Sequence, residues 1–205
     1  MNNERYLAAD KLIQTYVEDY LLHNQAASKV ANTLQKMGIG LKPLIDHITI
    51  RTENVELRAK EFLQIGFFED LTLGVIEHDN WWAKVYRFPG EPAVFIDQAF
   101  KGARGAGCVI PGWVKKFGDQ TLHHIAINVE NIEFAIQRLT HEGLEFTGEI
   151  TGETESPLRQ IFTKPEMRDG VAFSVLELAE RKWGYQGFVS KQANSLMEST
   201  KVSTH

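Results

Sequence analysis

Apolar residues recur at a helical spacing near the start of the chain and in short alternating runs thereafter. From Leu7 to Leu21 they repeat close to the helical period, which predicts an amphipathic helix that begins near Glu4. A second helix is predicted from Ala26 to Met37, because two glycines follow it as stop signals. We therefore predict an N-terminal helical segment over residues 1–40 that packs on the rest of the chain.

A β-α-β-β-β pattern then occurs twice, over residues 44–100 and 121–180. Each copy opens with an alternating run, continues with a helical stretch that ends at a glycine, and closes with three strand-like runs. In the first copy we predict a helix at Asn54–Gln64 and strands at Leu44–Thr52, Phe67–Leu73, Trp82–Phe88 and Ala93–Phe100. In the second copy we predict a helix at Ile132–His141 and strands at Thr121–Val129, Leu144–Ile150, Leu158–Thr163 and Val171–Leu178.

The two copies also match locally where each begins. The stretch DHITIRTENVE at 46–56 corresponds to HHIAINVENIE at 123–133. His47 and His124 are 77 residues apart, which is too long for a solenoid repeat and fits a duplicated half-domain. We therefore predict an α+β fold with paired β-α-β-β-β units in one domain at 41–188, followed by a tail at 189–205. Between the copies, the glycine-rich stretch Lys101–Gly118 predicts a loop.

Composition narrows the classes of function. The 205 residues carry a net charge of −5, which argues against a broad nucleic-acid-binding surface. A single cysteine excludes an internal disulfide and a multi-cysteine metal site. No apolar run is long enough to span a bilayer, and charged residues stand where a signal peptide needs its apolar core. We therefore expect a cytoplasmic protein that binds neither nucleic acid nor membrane.

The most informative residue is Glu177, a single glutamate inside an apolar strand. A buried carboxylate is costly unless it has a partner. His47 and His124 lie at matching places in the first strands of the two copies, so the chain offers two imidazoles and one carboxylate. Two histidines and one carboxylate form the ligand set of facial-triad iron(II) oxygenases, which leaves coordination positions open for substrate and dioxygen.

For two of these three proposed ligands, the sequence offers an alternative residue nearby, and the third has an arginine on the same strand face. His123 and His124 point to opposite faces of a strand, and the repeat alignment selects His124 as the ligand and His123 as a core or supporting residue. Glu180 is the alternative carboxylate, but it stands beside two basic residues near the strand end. Arg51 shares a strand face with His47, which predicts a guanidinium that binds a substrate carboxylate through two hydrogen bonds.

Paired β-α-β-β-β units with a histidine in each first strand resemble the vicinal oxygen chelate superfamily. The second copy is similar to the catalytic half of the 4-hydroxyphenylpyruvate dioxygenases. The helical segment and the first copy are similar to the 2-oxoadipate dioxygenase/decarboxylases, also called hydroxyglutarate synthases. The likeness is carried by Asp46, His47, Arg51 and Thr52, and by His123–Ala126, Gln160–Pro165, the Glu177 strand, Gln186–Phe188 and Asn194–Leu196.

This resemblance implies an iron(II) enzyme that acts on a small 2-oxo acid and dioxygen, by oxidative decarboxylation and hydroxylation. It implies His47, His124 and Glu177 as ligands, and Gln160 and Asn194 as substrate-binding residues beside Arg51. Nickel, zinc or cobalt could occupy the same ligand set. Whether the chain forms a homodimer stays open.

Two other functions fit the same pattern. The first is a glyoxalase-type isomerase or lyase, which usually draws a fourth ligand from the last strand of the first copy. That strand offers Asp97 and Gln98 but no glutamate, which favours the three-ligand interpretation. The second is a small-molecule binding protein without catalytic activity.

Overall fold

The computed structural model describes residues 3–189 and Met197. In this part of the chain, helices and strands follow the predicted order closely. They are α1 (Asn3–His23), α2 (Gln25–Lys36), β1 (Ile45–Arg51), α3 (Val55–Arg58), α4 (Lys60–Ile65), β2 (Phe68–Glu69), β3 (Ile76–Glu77), β4 (Trp81–Arg87), β5 (Ala93–Ala99), α5 (Ile110–Phe117), β6 (Leu122–Asn128), α6 (Ile132–His141), β7 (Phe146–Thr151), β8 (Leu158–Thr163), β9 (Glu166–Arg168) and β10 (Val171–Arg181).

The chain divides into two compact units. The first contains residues up to Tyr20 together with 47–123, and the second contains 21–46 together with the residues from His124 onward. In the first unit, β1 pairs in parallel with β5, β5 pairs antiparallel with β4, and β2 and β3 both pair with β4. Helix α1 packs on this unit through aromatic contacts, with the rings of Tyr16 and Phe62 stacked at 5.8 Å.

The second unit repeats this topology. Its first strand, β6, pairs in parallel with its last strand, β10, which pairs antiparallel with β8, and β8 pairs with β7. The short strand β9 adds to β10. Helix α2 belongs to this unit, because the Asn24 side chain caps the helix at Ala27 and also donates to the hydroxyl of Ser174 on β10. The predicted α+β fold with paired β-α-β-β-β units and an N-terminal helical segment is confirmed.

The two matching stretches of sequence at 46–56 and 123–133 each contain an asparagine that caps a helix. Asn54 accepts a hydrogen bond from the backbone of Leu57 at 3.0 Å, and Asn131 accepts one from the backbone of Phe134 at 2.8 Å. Each asparagine therefore satisfies a backbone N–H in the first turn of the helix that follows the first strand. The same residue type at the same place in both copies fixes where each crossover helix begins.

Two details of the predicted elements are wrong. The stretch Lys101–Gly118 is not a plain loop, because it contains a 3₁₀ turn at Gly102–Gly105 and the helix α5. Pro111 stands in the first turn of α5, where its missing N–H costs nothing. The predicted strand Phe67–Leu73 ends at Glu69, because the Asp70 carboxylate accepts hydrogen bonds from the backbone of Thr72 and Leu73 and turns the chain.

Within residues 3–189, no helix has the combination of length and apolar character that a bilayer crossing requires.

Candidate metal centre

The second unit places Glu177 in the middle of its sheet. Glu177 lies opposite Ala126 on β6 and opposite Phe162 on β8. His124, two residues before Ala126, points to the same face as Glu177, because alternate residues of a strand share a face. The exposed fraction of Glu177 is 1%, so this carboxylate needs partners inside the protein.

Two of the partners of Glu177 are side chains of the same unit. The Nε2 atom of His124 lies 3.2 Å from Oε2 of Glu177. The amide of Gln160 on β8 donates a hydrogen bond to Oε1 at 2.5 Å. The imidazole of His124 also contacts the ring of Phe162, with the centroids 5.1 Å apart. The carboxylate is therefore held on both oxygens.

His47 lies in the first unit, on β1 opposite Ala93 of β5. It is 2% exposed, and its ring is 6.4 Å from the ring of Phe95. The strand face that His47 shares with Arg51 is thus buried, since Thr49 and Arg51 are also inside the protein. His47, His124 and Glu177 each offer one ligand atom, and these atoms lie within 4.8 Å of one another.

This buried set of two histidines and one glutamate could hold a metal ion. The His124–Glu177 distance of 3.2 Å is short enough for both side chains to bind one ion through bonds of about 2.1 Å. Two imidazoles with one carboxylate suit iron(II), and they also accept zinc, nickel or cobalt. The residue types present therefore fit a metal site of two histidines and one carboxylate.

The competing carboxylate, Glu180, has a structural role. Its Oε2 atom accepts a hydrogen bond at 2.8 Å from the backbone of Ile132, at the start of α6, and lies 3.3 Å from Arg159. Arg159 in turn pairs with Glu133 in the first turn of the same helix. Glu180 thus fixes α6 to the sheet, and the choice of Glu177 as the metal ligand stays a prediction.

Arg51 is buried in the first unit, next to an acidic residue and an aromatic residue that interact with its guanidinium. Asp97 lies directly opposite Arg51 on β5, and the guanidinium lies 5.6 Å from the centre of the Trp113 ring on α5. Burial lowers the pKa of Arg51, and Asp97 opposes that effect. Burial raises the pKa of Asp97 to about 7, although the charge of Arg51 acts in the other direction.

The remaining predicted site residues have different outcomes. Gln160 is buried and contacts Glu177, so a role in binding substrate stays a prediction. Asn194 lies outside the residues that the structure describes. His123 is buried, with its ring at a steep angle to that of Trp113 at 5.8 Å, as the sequence predicts for a core histidine.

Sequence reasoning missed the contributions of Asp97 and Trp113 to the surroundings of Arg51. The residues Ile110, Trp113, Val114 and Phe117 follow the spacing of one helix face, so the periodicity could have revealed α5. No comparable signal marks Asp97, because its place opposite Arg51 depends on the register between β1 and β5.

Comparison of the sequence with family models and with curated proteins finds no match. Solved structures do match. A proposed hydrolase from Shewanella frigidimarina aligns with a TM-score of 0.74 and 21% identity, over 89% of this chain and 98% of that one. Hydroxyglutarate synthase from Oryza sativa, in complex with 2-oxoadipate, aligns with a TM-score of 0.73 and 15% identity, over 98% of this chain and 94% of that one.

A third match is a glyoxalase-superfamily protein from Ralstonia eutropha, with a TM-score of 0.66 and 11% identity, over 87% of this chain and 84% of that one. Identities this low establish a shared fold and leave the activity to be argued from the site. The chain therefore has the fold of the vicinal oxygen chelate superfamily.

Proposed function

We propose that this protein is an iron(II)-dependent dioxygenase that acts on a small 2-oxo acid by oxidative decarboxylation and hydroxylation. The observation that carries the proposal is the set of buried ligand atoms of His47, His124 and Glu177, all within 4.8 Å of one another. The fold shared with a hydroxyglutarate synthase that binds 2-oxoadipate supports the substrate class. The proposal assigns all three residues to one metal ion.

The side chains around these ligands would have specific tasks in such an enzyme. When bound, iron(II) would supply the activation of dioxygen and the polarisation of the 2-oxo group. Gln160 would hold the carboxylate of Glu177 in one orientation through its hydrogen bond, as residues around metal ligands commonly do. The ring of Phe162 beside His124 would limit access of water to that ligand.

Arg51 is the proposed anchor for the substrate. It lies four residues after His47 on β1, which is roughly 13 Å along a strand at about 3.3 Å per residue. Because the backbone of Arg51 lies that far from the backbone of His47, its guanidinium would meet the remote end of a metal-bound acid rather than the end at the metal. Its fork of donors suits a carboxylate, and its position over Trp113 restrains its orientation.

A fourth protein ligand, as in the glyoxalase-type alternative, would have to come from β5. Among the described residues, the ligand set contains His47, His124 and Glu177 but not Asp97. Asp97 instead lies opposite Arg51. A three-ligand site with open positions favours the dioxygenase over the isomerase.

The test is anaerobic reconstitution with iron(II), followed by oxygen uptake against a panel of 2-oxo acids. We expect one metal ion per wild-type chain and oxygen consumption with at least one acid. His124→Ala should lose the metal, whereas His141→Ala, which changes an exposed histidine of α6, should keep it. Equal metal content in all three proteins would refute the assignment of ligands. Metal binding without oxygen uptake for any acid would favour the isomerase or a binding protein.

A further inference from the structure

Asp97 and Arg51 are two buried ionisable residues of the first unit, and each acts electrostatically on the other. They lie directly opposite each other on the parallel strands β5 and β1. Their exposed fractions are 2% and 3%. An aspartate at this depth is rare unless it is paired, and its position beside the proposed substrate anchor gives it a direct influence on that anchor.

The hydrogen bonding of Asp97 is incomplete within the protein. Its Oδ1 atom is buried and makes no hydrogen bond to any residue that the structure describes. A buried acceptor in this state carries a free-energy cost. A ligand that brings a hydrogen-bonding group beside Arg51 could relieve that cost, and a proton on Asp97 would turn the carboxyl group into a donor.

The groups that act electrostatically on Asp97 and Arg51 lie on β1, on β5 and in the segment before α5. Arg51 on β1 is the charged group that acts on Asp97, and Cys108 acts on Arg51 from the segment before α5. Strand β4 places Ala83 opposite Asp97, and α5 contributes the aromatic ring of Trp113.

Helix α3 contacts β5 through Gln98, whose side chain accepts a hydrogen bond from the backbone of Val55. Gln98 is neutral, and adjacent residues of a strand point to opposite faces. Protonation of Asp97 therefore depends chiefly on Arg51 and on whatever anion Arg51 binds.

A substrate with a remote carboxylate would place two carboxylates on one guanidinium. Like charges in a shared buried site do not both stay ionised. We propose that Asp97 takes up one proton from solvent when such an acid binds to Arg51, so that Asp97 selects between diacid and monoacid substrates in a pH-dependent way. This inference rests on the proposed function, because it requires that a 2-oxo acid binds with its far end at Arg51.

The direction of the pH effect follows from the state of Asp97 before binding. Burial raises the pKa of Asp97 to about 7. Below that pH the carboxyl group already carries its proton, and a diacid binds at no extra cost. Above that pH the proton must be taken up, so the affinity for a diacid should fall by about tenfold for each further pH unit. The affinity for a monoacid with an apolar far end should lack this dependence on Asp97.

The experiment is anaerobic calorimetric titration of the iron(II)-loaded protein with two six-carbon acids that differ only at the far end. These are 2-oxoadipate, which has a remote carboxylate, and 2-oxohexanoate, which ends in a methyl group. Titrations at about pH 6 and about pH 8, in two buffers with different ionisation enthalpies, count the protons taken up on binding. We expect uptake of close to one proton at the higher pH with 2-oxoadipate, and less than half of that with 2-oxohexanoate.

Two variants assign the proton. Asp97→Asn should abolish the proton uptake and remove most of the loss of 2-oxoadipate affinity between the two pH values. Asp79→Asn removes an exposed carboxylate of the same unit and should behave like wild type. If 2-oxoadipate binds to the wild type with no proton uptake, or if Asp97→Asn retains the uptake, the role of Asp97 is wrong and the proposed function survives. If neither acid binds to the metal-loaded wild type, both proposals fail.

Discussion

Replacement of Gln160 by methionine should weaken metal binding while the protein stays folded. The Gln160 amide donates to Oε1 of Glu177 from within the sheet, and the two side chains are 4% and 1% exposed. Methionine has a similar length and no amide, so Gln160→Met removes the hydrogen bond without opening a large cavity. The carboxylate would then lose the group that fixes its orientation.

The magnitude follows from the kind of hydrogen bond that is lost. A hydrogen bond to a charged group contributes about 1.5–3 kcal/mol, and each 1.4 kcal/mol corresponds to about a tenfold change in an equilibrium constant. Metal affinity should therefore fall by roughly tenfold to a hundredfold, which agrees with the usual effect of removing a residue that orients a metal ligand. The dissociation constant for cobalt(II), measured in competition with a chelating dye, is a suitable readout.

Gln98 offers a matched control. It is also a buried glutamine in a strand, but its side chain accepts from the backbone of Val55 at 2.7 Å. Gln98→Met should therefore reduce the free energy of unfolding by about 1–3 kcal/mol and leave the cobalt affinity within about twofold of wild type. The reasoning is refuted if folded Gln160→Met binds cobalt(II) as tightly as wild type. If metal affinity is kept and the KM for the best 2-oxo acid rises, Gln160 binds substrate instead.

Two further predictions concern arginines whose side chains are largely covered. Arg51→Lys should keep the metal content of wild type and weaken binding of the best 2-oxo acid by roughly tenfold to a hundredfold, because lysine loses the planar two-point contact. Michaelis kinetics and metal analysis of the variant check this. Unchanged catalytic efficiency would show that Arg51 is not part of the substrate site. Arg181 holds Asp46 through hydrogen bonds of 2.5 and 2.8 Å and donates to the carbonyl of Gly187 at 2.7 Å. Arg181→Met should reduce the free energy of unfolding by about 3–5 kcal/mol in urea denaturation, and Asp46→Asn in the same background should cost much less than it does alone. Strictly additive effects would contradict the assignment of these two residues as a pair.

The repeat and its helices could be predicted because both copies carry the same local sequence signals. Asn54 and Asn131 cap their helices with the same hydrogen bond, and Gly66 ends α4 in the left-handed conformation with φ of 110°. Such features depend on residues within one turn of one another. Local determinants of this kind are readable without knowledge of the fold.

Helix α5 was missed because its signals compete with one another. Pro111 and Gly112 are typical of loops, yet proline is also favoured in the first turn of a helix. The apolar positions Trp113 and Val114 supply the burial that decides the outcome, since both are inside the protein. These side chains are buried because the helix packs on the sheet, and that packing cannot be read from the local sequence.

In the candidate site, too, some residues could be predicted from local sequence and others could not. His124 and Glu177 could be proposed because a histidine at a repeated position and a glutamate in an apolar strand are unusual within short stretches of sequence. The contact between Gln160 and Glu177 and the position of Asp97 opposite Arg51 depend on strand register. Register is set by the whole sheet, so these partners emerge only from the structure.

The two glutamates of β10 explain why a carboxylate in an apolar strand is informative only once its partners are known. Glu180 is satisfied by structure alone, because a guanidinium balances its charge and the backbone of Ile132 donates to it. The side chains that contact Glu177 include an amide and an imidazole. A neutral amide can orient a carboxylate but cannot balance its charge, and an imidazole can share a metal ion with it. A divalent cation would add positive charge beside the carboxylate and hold both ligands at the separation that the structure shows. The same strand thus carries one carboxylate that builds the fold and one that we propose for the chemistry.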